Sequence, residues 1–249
     1  MQLNNVIAKR PNKTLYRDGD KLIKVFNNEF SKSNVLNEAL NTARVEETGL
    51  NVPKLEEVTK INGKWAIIMD YIEGDTLEKL IAENPEKFDE YLEIFVETQL
   101  AIHNKKSKLL TVLNDKMERR IDESDLPSEV KYDLHTRLAG FAEHDKVLHG
   151  DFQFSNVILS PDGKVYVIDW SHATQGNASA DAAMSYLLLV LSGRREMAEE
   201  YIELFGKKTG TDPHYIKSWI PIVAAAQLSK VKGKNKEMLK SFINVVDYV

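Results

Sequence analysis

Apolar and polar residues alternate along the chain up to about residue 70, and beyond that point apolar residues recur at spacings of three and four. Alternation indicates half-buried strands, whereas the longer spacing indicates helices that bury one face. The turn pairs Asp18-Gly19 and Asn62-Gly63 each separate two alternating runs, which predicts two hairpins. The strands predicted around these turns cover residues 15–17, 22–26, 55–61 and 64–69.

One helix is predicted inside this first part, over about residues 28–48, where the spacing changes from two to three and four. Gly49 is placed to end it. The apolar stripe of this helix is predicted to contain Val35, Leu36, Ala39, Leu40 and Ala43.

Beyond Gly74 the pattern is mainly helical, for example at Leu92, Phe95, Val96, Gln99 and Leu100. A strand-like island interrupts it at residues 147–148, 157–159 and 165–168, with a turn at Pro161-Asp162-Gly163. The predicted fold class is therefore α+β. A small antiparallel-sheet lobe with one helix covers residues 1–70, a hinge covers 71–75, and a larger, mainly helical lobe covers 76–249.

Composition narrows the classes of function. The chain has 249 residues, 43% of them hydrophobic, which suits a packed globular core. A formal net charge of -5, with acidic and basic residues interspersed, gives no sign of a nucleic-acid or membrane partner. Cysteine is absent, so disulfides and thiolate metal sites are excluded. No secretory signal pattern is seen at the N-terminus, and a cytoplasmic location is expected.

Polar residues are dense in the loop of the strand-like island, whose sequence is His149-Gly150-Asp151-Phe152-Gln153-Phe154-Ser155-Asn156. Asp169 follows the next apolar hairpin. Three oxygen-bearing side chains that converge there would suit a hard cation such as Mg²⁺, which completes its shell with water and phosphate oxygens. The alternative is that the loop Asp and Asn only satisfy turn backbones, as such residues commonly do.

This string resembles the catalytic loop of the aminoglycoside phosphotransferase and choline-kinase-like family of small-molecule kinases. Val167-Ile168-Asp169-Trp170 resembles the family's metal-binding segment, and Gly176 and Asp181 match a stretch that buttresses the loop. The resemblance covers nearly the whole chain and implies a bilobal protein-kinase-like fold. It implies transfer of the γ-phosphate of ATP or GTP to a hydroxyl of a small molecule.

The resemblance also implies roles for individual residues. Asp151 would take the proton of the acceptor hydroxyl, and Asn156 and Asp169 would hold Mg²⁺. Lys24, the lone charge in an apolar strand, would position the phosphates together with Glu38, which we prefer to Glu46 and Glu47 near the helix end. Other nucleotide contacts are expected from Thr14 in the phosphate-covering turn and from Met69 and Tyr71 at the hinge.

Lys24 has a competing interpretation, in which it belongs to a solvated strand face. If it instead holds phosphates, Lys24→Met is expected to leave the melting temperature of the free protein almost unchanged and to remove the stabilisation by nucleotide.

Departures from protein kinases are also informative. Gly150 stands where many protein kinases have an arginine, and only a short segment separates Asp169 from the next helix, so we expect a small acceptor and no need for prior phosphorylation. The turn at residues 10–14 contains no glycine, although its backbone amides, Lys13 and Thr14 are expected to meet phosphate.

Two other functions remain open from the sequence. The glycine-free turn favours a catalytically inactive nucleotide-binding pseudokinase. His149, His172 and Asp169 would suit a metal-dependent hydrolase, although the further His and Asp ligands of a two-metal site are missing.

The acceptor is expected to be small and cationic. The supporting residues are an acidic group and three aromatic side chains that would line a pocket, namely Glu196, Glu199, Glu200, Glu203, Trp170, Tyr215 and Trp219. The alternative is that these glutamates form the solvated face of a helix.

Overall fold

The computed structural model describes residues 3–231 and 233–243 and has a mixed α+β fold, as predicted. Residues 244–249, which end the predicted helical lobe, lie outside the described residues. The described chain forms two compact units. The first contains the residues up to Tyr91 together with Phe154–His172, and the second contains Leu92–Gln153 and the residues from Ala173 onward.

The first unit is built on a five-stranded antiparallel sheet. Its strand order is β1-β2-β3-β5-β4. The strands are β1 (Val6–Lys9), β2 (Lys13–Asp18), β3 (Lys21–Phe26), β4 (Leu55–Ile61) and β5 (Lys64–Asp70).

Both predicted hairpins are present, with one difference in the turn. Asn62 and Gly63 join β4 to β5 and both have positive φ, as a tight hairpin turn of this type requires. In the other hairpin Asp18 still pairs with Lys21, so the connecting residues are Gly19 and Asp20 rather than Asp18 and Gly19.

Helix α1 (Lys32–Glu46) follows β3 and is shorter than predicted. The side chain of Asn27 accepts hydrogen bonds from the amides of Glu29 and Phe30, which holds the preceding residues in a turn. Ser31 then caps the helix by accepting from the Asn34 amide.

The buried face of α1 is more polar than predicted. Val35 and Ala39 pack with Phe26, Ile67 and Met69 against one face of the sheet. Leu36 and Leu40, which the pattern places on the stripe, are exposed. The buried positions instead include three polar residues, namely Glu38, Asn41 and Thr42.

A second, three-stranded sheet also belongs to the first unit. It joins β6 (Asp75–Thr76), β8 (Val157–Leu159) and β9 (Val165–Val167) in the order β6-β8-β9. The strands meet closely, since a Cβ at Gly74 (φ 137°) would overlap the backbone of Leu159.

The predicted strand-like island is thus divided between two sheets. Its first segment, β7 (Lys146–Leu148), pairs in the second unit with β10 (Thr174–Gly176), which the pattern does not predict.

The helices after α1 are α2 (Leu77–Glu83), α3 (Phe88–His103), α4 (Leu113–Asp122), α5 (Ser128–Gly140), α6 (Ala178–Leu191), α7 (Arg195–Thr209), α8 (Pro213–Lys217), α9 (Ile220–Gln227) and α10 (Lys234–Ile243). Helices α4 to α10 and most of α3 lie in the second unit, which is therefore mainly helical. Within residues 3–231 and 233–243, no helix is both long and apolar enough to cross a membrane.

Candidate active site

The strand lysine and the helix glutamate of the first unit form a buried ion pair. Lys24 Nζ on β3 donates to Glu38 Oε1 on α1 over 2.8 Å, and the two residues are only 6% and 2% exposed. Burial disfavours the charge on Lys24, but the attraction of Glu38 and Asp169 leaves its pKa raised. Lys24 is therefore charged at neutral pH, and a solvated strand face is excluded.

A second lysine joins this pair. Lys13 lies on β2, and its Nζ is 3.4 Å from Glu38 Oε1 and 3.3 Å from Asp169 Oδ2. Two ammonium groups thus share one oxygen of Glu38. The sequence places Lys13 near phosphate but does not predict its contacts with the two carboxylates.

Asp169 follows β9 in an unusual backbone conformation. Its φ is 66°, in the left-handed region that few residues other than glycine, asparagine and aspartate adopt. The next residues form a short 3₁₀ turn, Trp170–His172, and the Ser171 carbonyl accepts from Asn37 and Asn41 of α1 at 3.3 Å each. These bonds link the helix that carries Glu38 to the segment that carries Asp169. Such local strain is often found at functional sites.

A backbone hydrogen bond joins Asn156 to the residue that precedes Asp169. Asn156 ends a short 3₁₀ turn before β8, and its carbonyl accepts from the Ile168 amide over 3.0 Å. The two predicted metal ligands are therefore brought together at one end of the β8–β9 hairpin.

The donor chemistry here fits Mg²⁺. One carboxylate and one amide oxygen are a suitable protein contribution, because Mg²⁺ usually takes one or two carboxylates and completes its shell with water and phosphates. The Lys13 ammonium against Asp169 Oδ2 shows that this carboxylate accepts a cation. No group of three His, Cys, Asp or Glu residues suited to a metal occurs in the part of the chain that the structure describes.

The other predicted nucleotide contacts lie outside this cluster. Thr14 is half-buried on β2, opposite Val25. Met69 packs in the core with Phe26 and Val35. Tyr71 follows β5, where its amide donates to the Asp20 carbonyl and its ring lies 4.0 Å from the Arg17 guanidinium. The roles of Thr14, Met69 and Tyr71 in binding nucleotide stay predictions.

The predicted catalytic base lies in the second unit, on the loop after β7. The amides of His149 and Gly150 donate to the Asp181 carboxylate over 3.3 and 2.7 Å. Gly150 has a φ of 75°, and the amide of Asp151 donates to His149 Nδ1 over 3.2 Å. Gln153 Nε2 donates to Asp151 Oδ1 over 2.7 Å and so orients the carboxylate.

Asp181 is the centre of a buried polar network, of which the sequence predicts only Asp181 itself and the loop it supports. Besides the loop amides, it accepts from His103 Nε2 over 3.0 Å and from Gln99 Nε2 over 3.2 Å. Tyr201 Oη donates in turn to Gln99 Oε1. Burial opposes ionisation of Asp181 and by itself would raise its pKa. The hydrogen bond from His103 and the electrostatic attraction of His103 and His149 outweigh burial and keep the pKa of Asp181 below the ordinary value.

Gln99 and His103 could have been found from the pattern. They are polar residues four apart on the apolar stripe of α3, and polar groups at such positions need partners inside the protein. Tyr201 gives no comparable signal, because its pairing depends on how α7 packs.

The tryptophans and glutamates expected to contact the acceptor do not line a pocket in the way the sequence suggests. The indoles of Trp170 and Trp219 are buried in the core, at 1% and 0% exposure, so they cannot offer a face to a ligand. Glu199 accepts from Tyr186 Oη and Lys217 Nζ at 2.6 Å each, which neutralises the carboxylate. The exposed part of this acidic group on α7 matches the solvated-face alternative.

Solved structures with the same fold include three kinases. A thermostable mutant of aminoglycoside phosphotransferase APH(4)-Ia, in ternary complex with AMP-PNP and hygromycin B, has 13% identity and a TM-score of 0.70, and the match covers 96% of this chain and 90% of that one. Choline kinase LicA from Streptococcus pneumoniae has 17% identity and a TM-score of 0.62, with 97% and 94% covered. A choline/ethanolamine kinase family protein from Mesorhizobium loti has 13% identity and a TM-score of 0.63, with 98% and 89% covered.

Identities this low establish the fold alone, and a search of curated protein sequences gave no significant match. The family itself is established by a family model, described as the phosphotransferase enzyme family, which matches residues 12–217. That range includes Lys13, Lys24, Glu38, Asp169 and the loop that carries Asp151. The chain therefore belongs to the phosphotransferase enzyme family.

Proposed function

We propose that the protein transfers the γ-phosphate of ATP or GTP to a hydroxyl group of a small molecule, such as an aminoglycoside, an amino alcohol or a sugar. The observation that carries this proposal is the cluster of Lys24, Glu38 and Asp169 in the first unit, where a buried lysine is held charged beside two carboxylates. Similar folds have been solved with AMP-PNP, ADP and AMP, which supports a nucleotide as the donor.

Most of the catalysis in phosphoryl transfer comes from positioning and from neutralising charge. In the proposed mechanism Lys24 binds phosphate oxygens while Glu38 fixes the position of its ammonium. Asn156 and Asp169 would hold Mg²⁺, which when bound supplies positive charge to the phosphate oxygens. The Asp151 carboxylate, oriented by Gln153, accepts the proton of the acceptor hydroxyl as its oxygen bonds to the γ-phosphorus, while the bond from that phosphorus to the bridging oxygen breaks and the nucleoside diphosphate leaves.

A nucleotide-consumption screen tests the proposal and identifies the acceptor. ATP and GTP are each offered with aminoglycosides, choline and other amino alcohols, neutral sugars and carboxylate-bearing alcohols. We propose a cationic acceptor. Fewer residues support this charge preference than the sequence suggests, because Glu199 is neutralised by Lys217 and both tryptophans are buried. Preference for a neutral or anionic alcohol would contradict that part alone.

The first prediction concerns Asp151 and Asp169. Asp151→Ala should lower turnover by roughly 10²- to 10⁴-fold with little change in nucleotide affinity, as expected for a lost general base. Asp169→Asn should remove Mg²⁺-dependent nucleotide binding while keeping a side chain that tolerates the left-handed backbone. The matched control is Asp115→Asn, a change to an exposed carboxylate on α4, and it should keep wild-type turnover.

Wild-type turnover by both Asp151→Ala and Asp169→Asn would overturn the kinase proposal. A wild-type protein that binds magnesium nucleotide but does not consume it in the presence of any acceptor in the screen would favour the pseudokinase, the alternative suggested by the glycine-free turn at residues 10–14.

A further inference from the structure

Lys13 lies between the carboxylates of Glu38 and Asp169, in the same cluster as Lys24. Its ammonium contacts Asp169 Oδ2 at 3.3 Å and Glu38 Oε1 at 3.4 Å, and its side chain is 12% exposed. Both distances are longer than those of strong charge-assisted hydrogen bonds. The Lys24 contact with Glu38, by comparison, is 2.8 Å.

The two lysines are therefore not equivalent. Glu38 Oε1 is already bonded to Lys24, so Lys13 is the weaker of its two partners. The Asp169 side chain is 30% exposed, which makes the Lys13–Asp169 contact the more accessible of these ion pairs. A long lysine stem can move its ammonium by several ångströms without backbone change, because it has four rotatable bonds. Lys13 is thus the cation of this cluster that can be exchanged.

We infer that Lys13 holds the Asp169 carboxylate before nucleotide binds and exchanges partners when magnesium nucleotide arrives. The carboxylate is then released to the metal, and the ammonium of Lys13 pairs with phosphate oxygens. This inference rests on the proposed function. It assigns to Lys13 a contact with the nucleotide phosphates, in a turn at residues 10–14 that contains no glycine. No charge is left unpaired in either state, since Asp169 and Lys13 each gain a partner as they separate.

The exchange has opposite consequences for metal alone and for metal with nucleotide. Without nucleotide, Mg²⁺ must displace an ammonium that has no phosphate to move to, so Lys13 weakens binding of the metal alone. With nucleotide, the displaced ammonium gains a phosphate contact, so Lys13 strengthens binding of the complex. A lysine that only braces the fold would not produce opposite effects.

The test compares thermal shifts in titrations with MgCl₂ alone, ATP alone and ATP with MgCl₂, with GTP as a second nucleotide. Lys13→Met should increase the shift produced by MgCl₂ alone. The same variant should bind ATP with MgCl₂ roughly three- to tenfold more weakly, the range for a partly exposed charge-assisted contact. Lys13→Arg, which keeps the charge, should recover most of that binding.

Lys9→Met is the matched control, because it removes the same charge from an exposed position on the neighbouring strand β1 and should behave like the wild type. Lys13→Gln provides a second neutral variant should Lys13→Met fail to fold. The inference is wrong if the neutral variants match the wild type in every titration. It is also wrong if the thermal shift with MgCl₂ alone and the shift with ATP and MgCl₂ are both smaller in these variants than in the wild type. If the wild type itself shows no shift with magnesium and either nucleotide, the proposed function fails as well.

Discussion

At the scale of single residues, the Lys24–Glu38 pair shows how a functional group can be costly to the fold. Removing two charges from water is expensive, and a buried ion pair often stabilises a protein no more than apolar residues of similar volume would. Breaking such a pair, however, leaves an uncompensated buried charge. The burial of Lys24 therefore contradicts the expectation that Lys24→Met leaves the free protein unaffected.

The second residue-scale prediction follows from this burial. Lys24→Met should lower the free energy of unfolding by about 3 kcal/mol, the lower end of the range for breaking a buried pair, because Lys13 still contacts Glu38. The double variant Lys24→Met, Glu38→Met should recover most of that loss but should still show no stabilisation by magnesium nucleotide. Urea unfolding and thermal shift measure the two effects separately.

If the double variant still responds to magnesium nucleotide as the wild type does, Lys24 does not bind phosphate and Glu38 does not position it for that task. Failure to recover stability would instead mean that the surrounding sheet needs the ion pair for packing.

Residue-level sequence reasoning works here only where a local signal exists. Lys24 is a lone charge among apolar strand residues, and Glu38 lies on the next helix, so their pairing can be anticipated from the sequence. Lys13 gives no such signal for its contact with Asp169. Those residues are 156 positions apart, and the reach of a flexible lysine cannot be derived from its place in a strand.

At the scale of elements, three helices of the second unit supply the Asp181 network. Gln99 and His103 come from α3, Asp181 from α6 and Tyr201 from α7. Their bonds end at the amides of His149 and Gly150, directly before Asp151. The position of the proposed base thus depends on how these helices pack, because a buried polar network tolerates few arrangements.

The prediction at this scale concerns pH. The pKa of Asp181 in the folded protein is lowered from its ordinary value of 3.8. Its stabilising contribution is therefore fully present above that pH and is lost as the pH falls through the folded pKa. Asp181→Asn, which lacks the charge, should be less stable than the wild type by about 3 kcal/mol at neutral pH. The difference should shrink below about pH 4 when measured by urea unfolding.

A stability difference that stays constant from neutral to acid pH would show that the Asp181 charge contributes nothing to the fold. Glu143→Gln, a change to an exposed carboxylate in the same unit, serves as the control for the general effect of acid.

Element prediction succeeds where turn chemistry or periodicity is strong. The β4–β5 hairpin follows from Asn62-Gly63, and α1 follows from its spacing. The two-residue strand β6 and the three-residue strand β10 could not be predicted, because such short strands exist only through pairing with distant segments. The polar face of α1 was missed for a related reason, since the partners of Glu38 and Asn41 come from other parts of the chain.

At the scale of the whole molecule, the compact units do not follow the order of the sequence. Residues 154–172 pack with the first unit although they are surrounded in sequence by the second. The proposed phosphate and metal residues Lys24, Glu38, Asn156 and Asp169 therefore all belong to one unit, whereas Asp151 belongs to the other. The hinge predicted at residues 71–75 from the change of hydrophobic pattern stays a prediction.

This division predicts a pattern of hydrogen exchange. Cooperative opening units usually coincide with compact structural units, so amides of β8 and β9 should exchange at rates similar to those of β3 and β5. Amides of β7, a few residues away in sequence, should form a different group.

Magnesium nucleotide at about 100 times its dissociation constant should slow exchange in the first group by roughly 100-fold, because a ligand that binds only the folded unit stabilises it by about 2.7 kcal/mol. Amides that exchange through separate opening of α7 should be unaffected. The same measurement on Asp169→Asn should show no protection by nucleotide, and protection of β3 and β5 without β8 and β9 would refute a single nucleotide-binding unit.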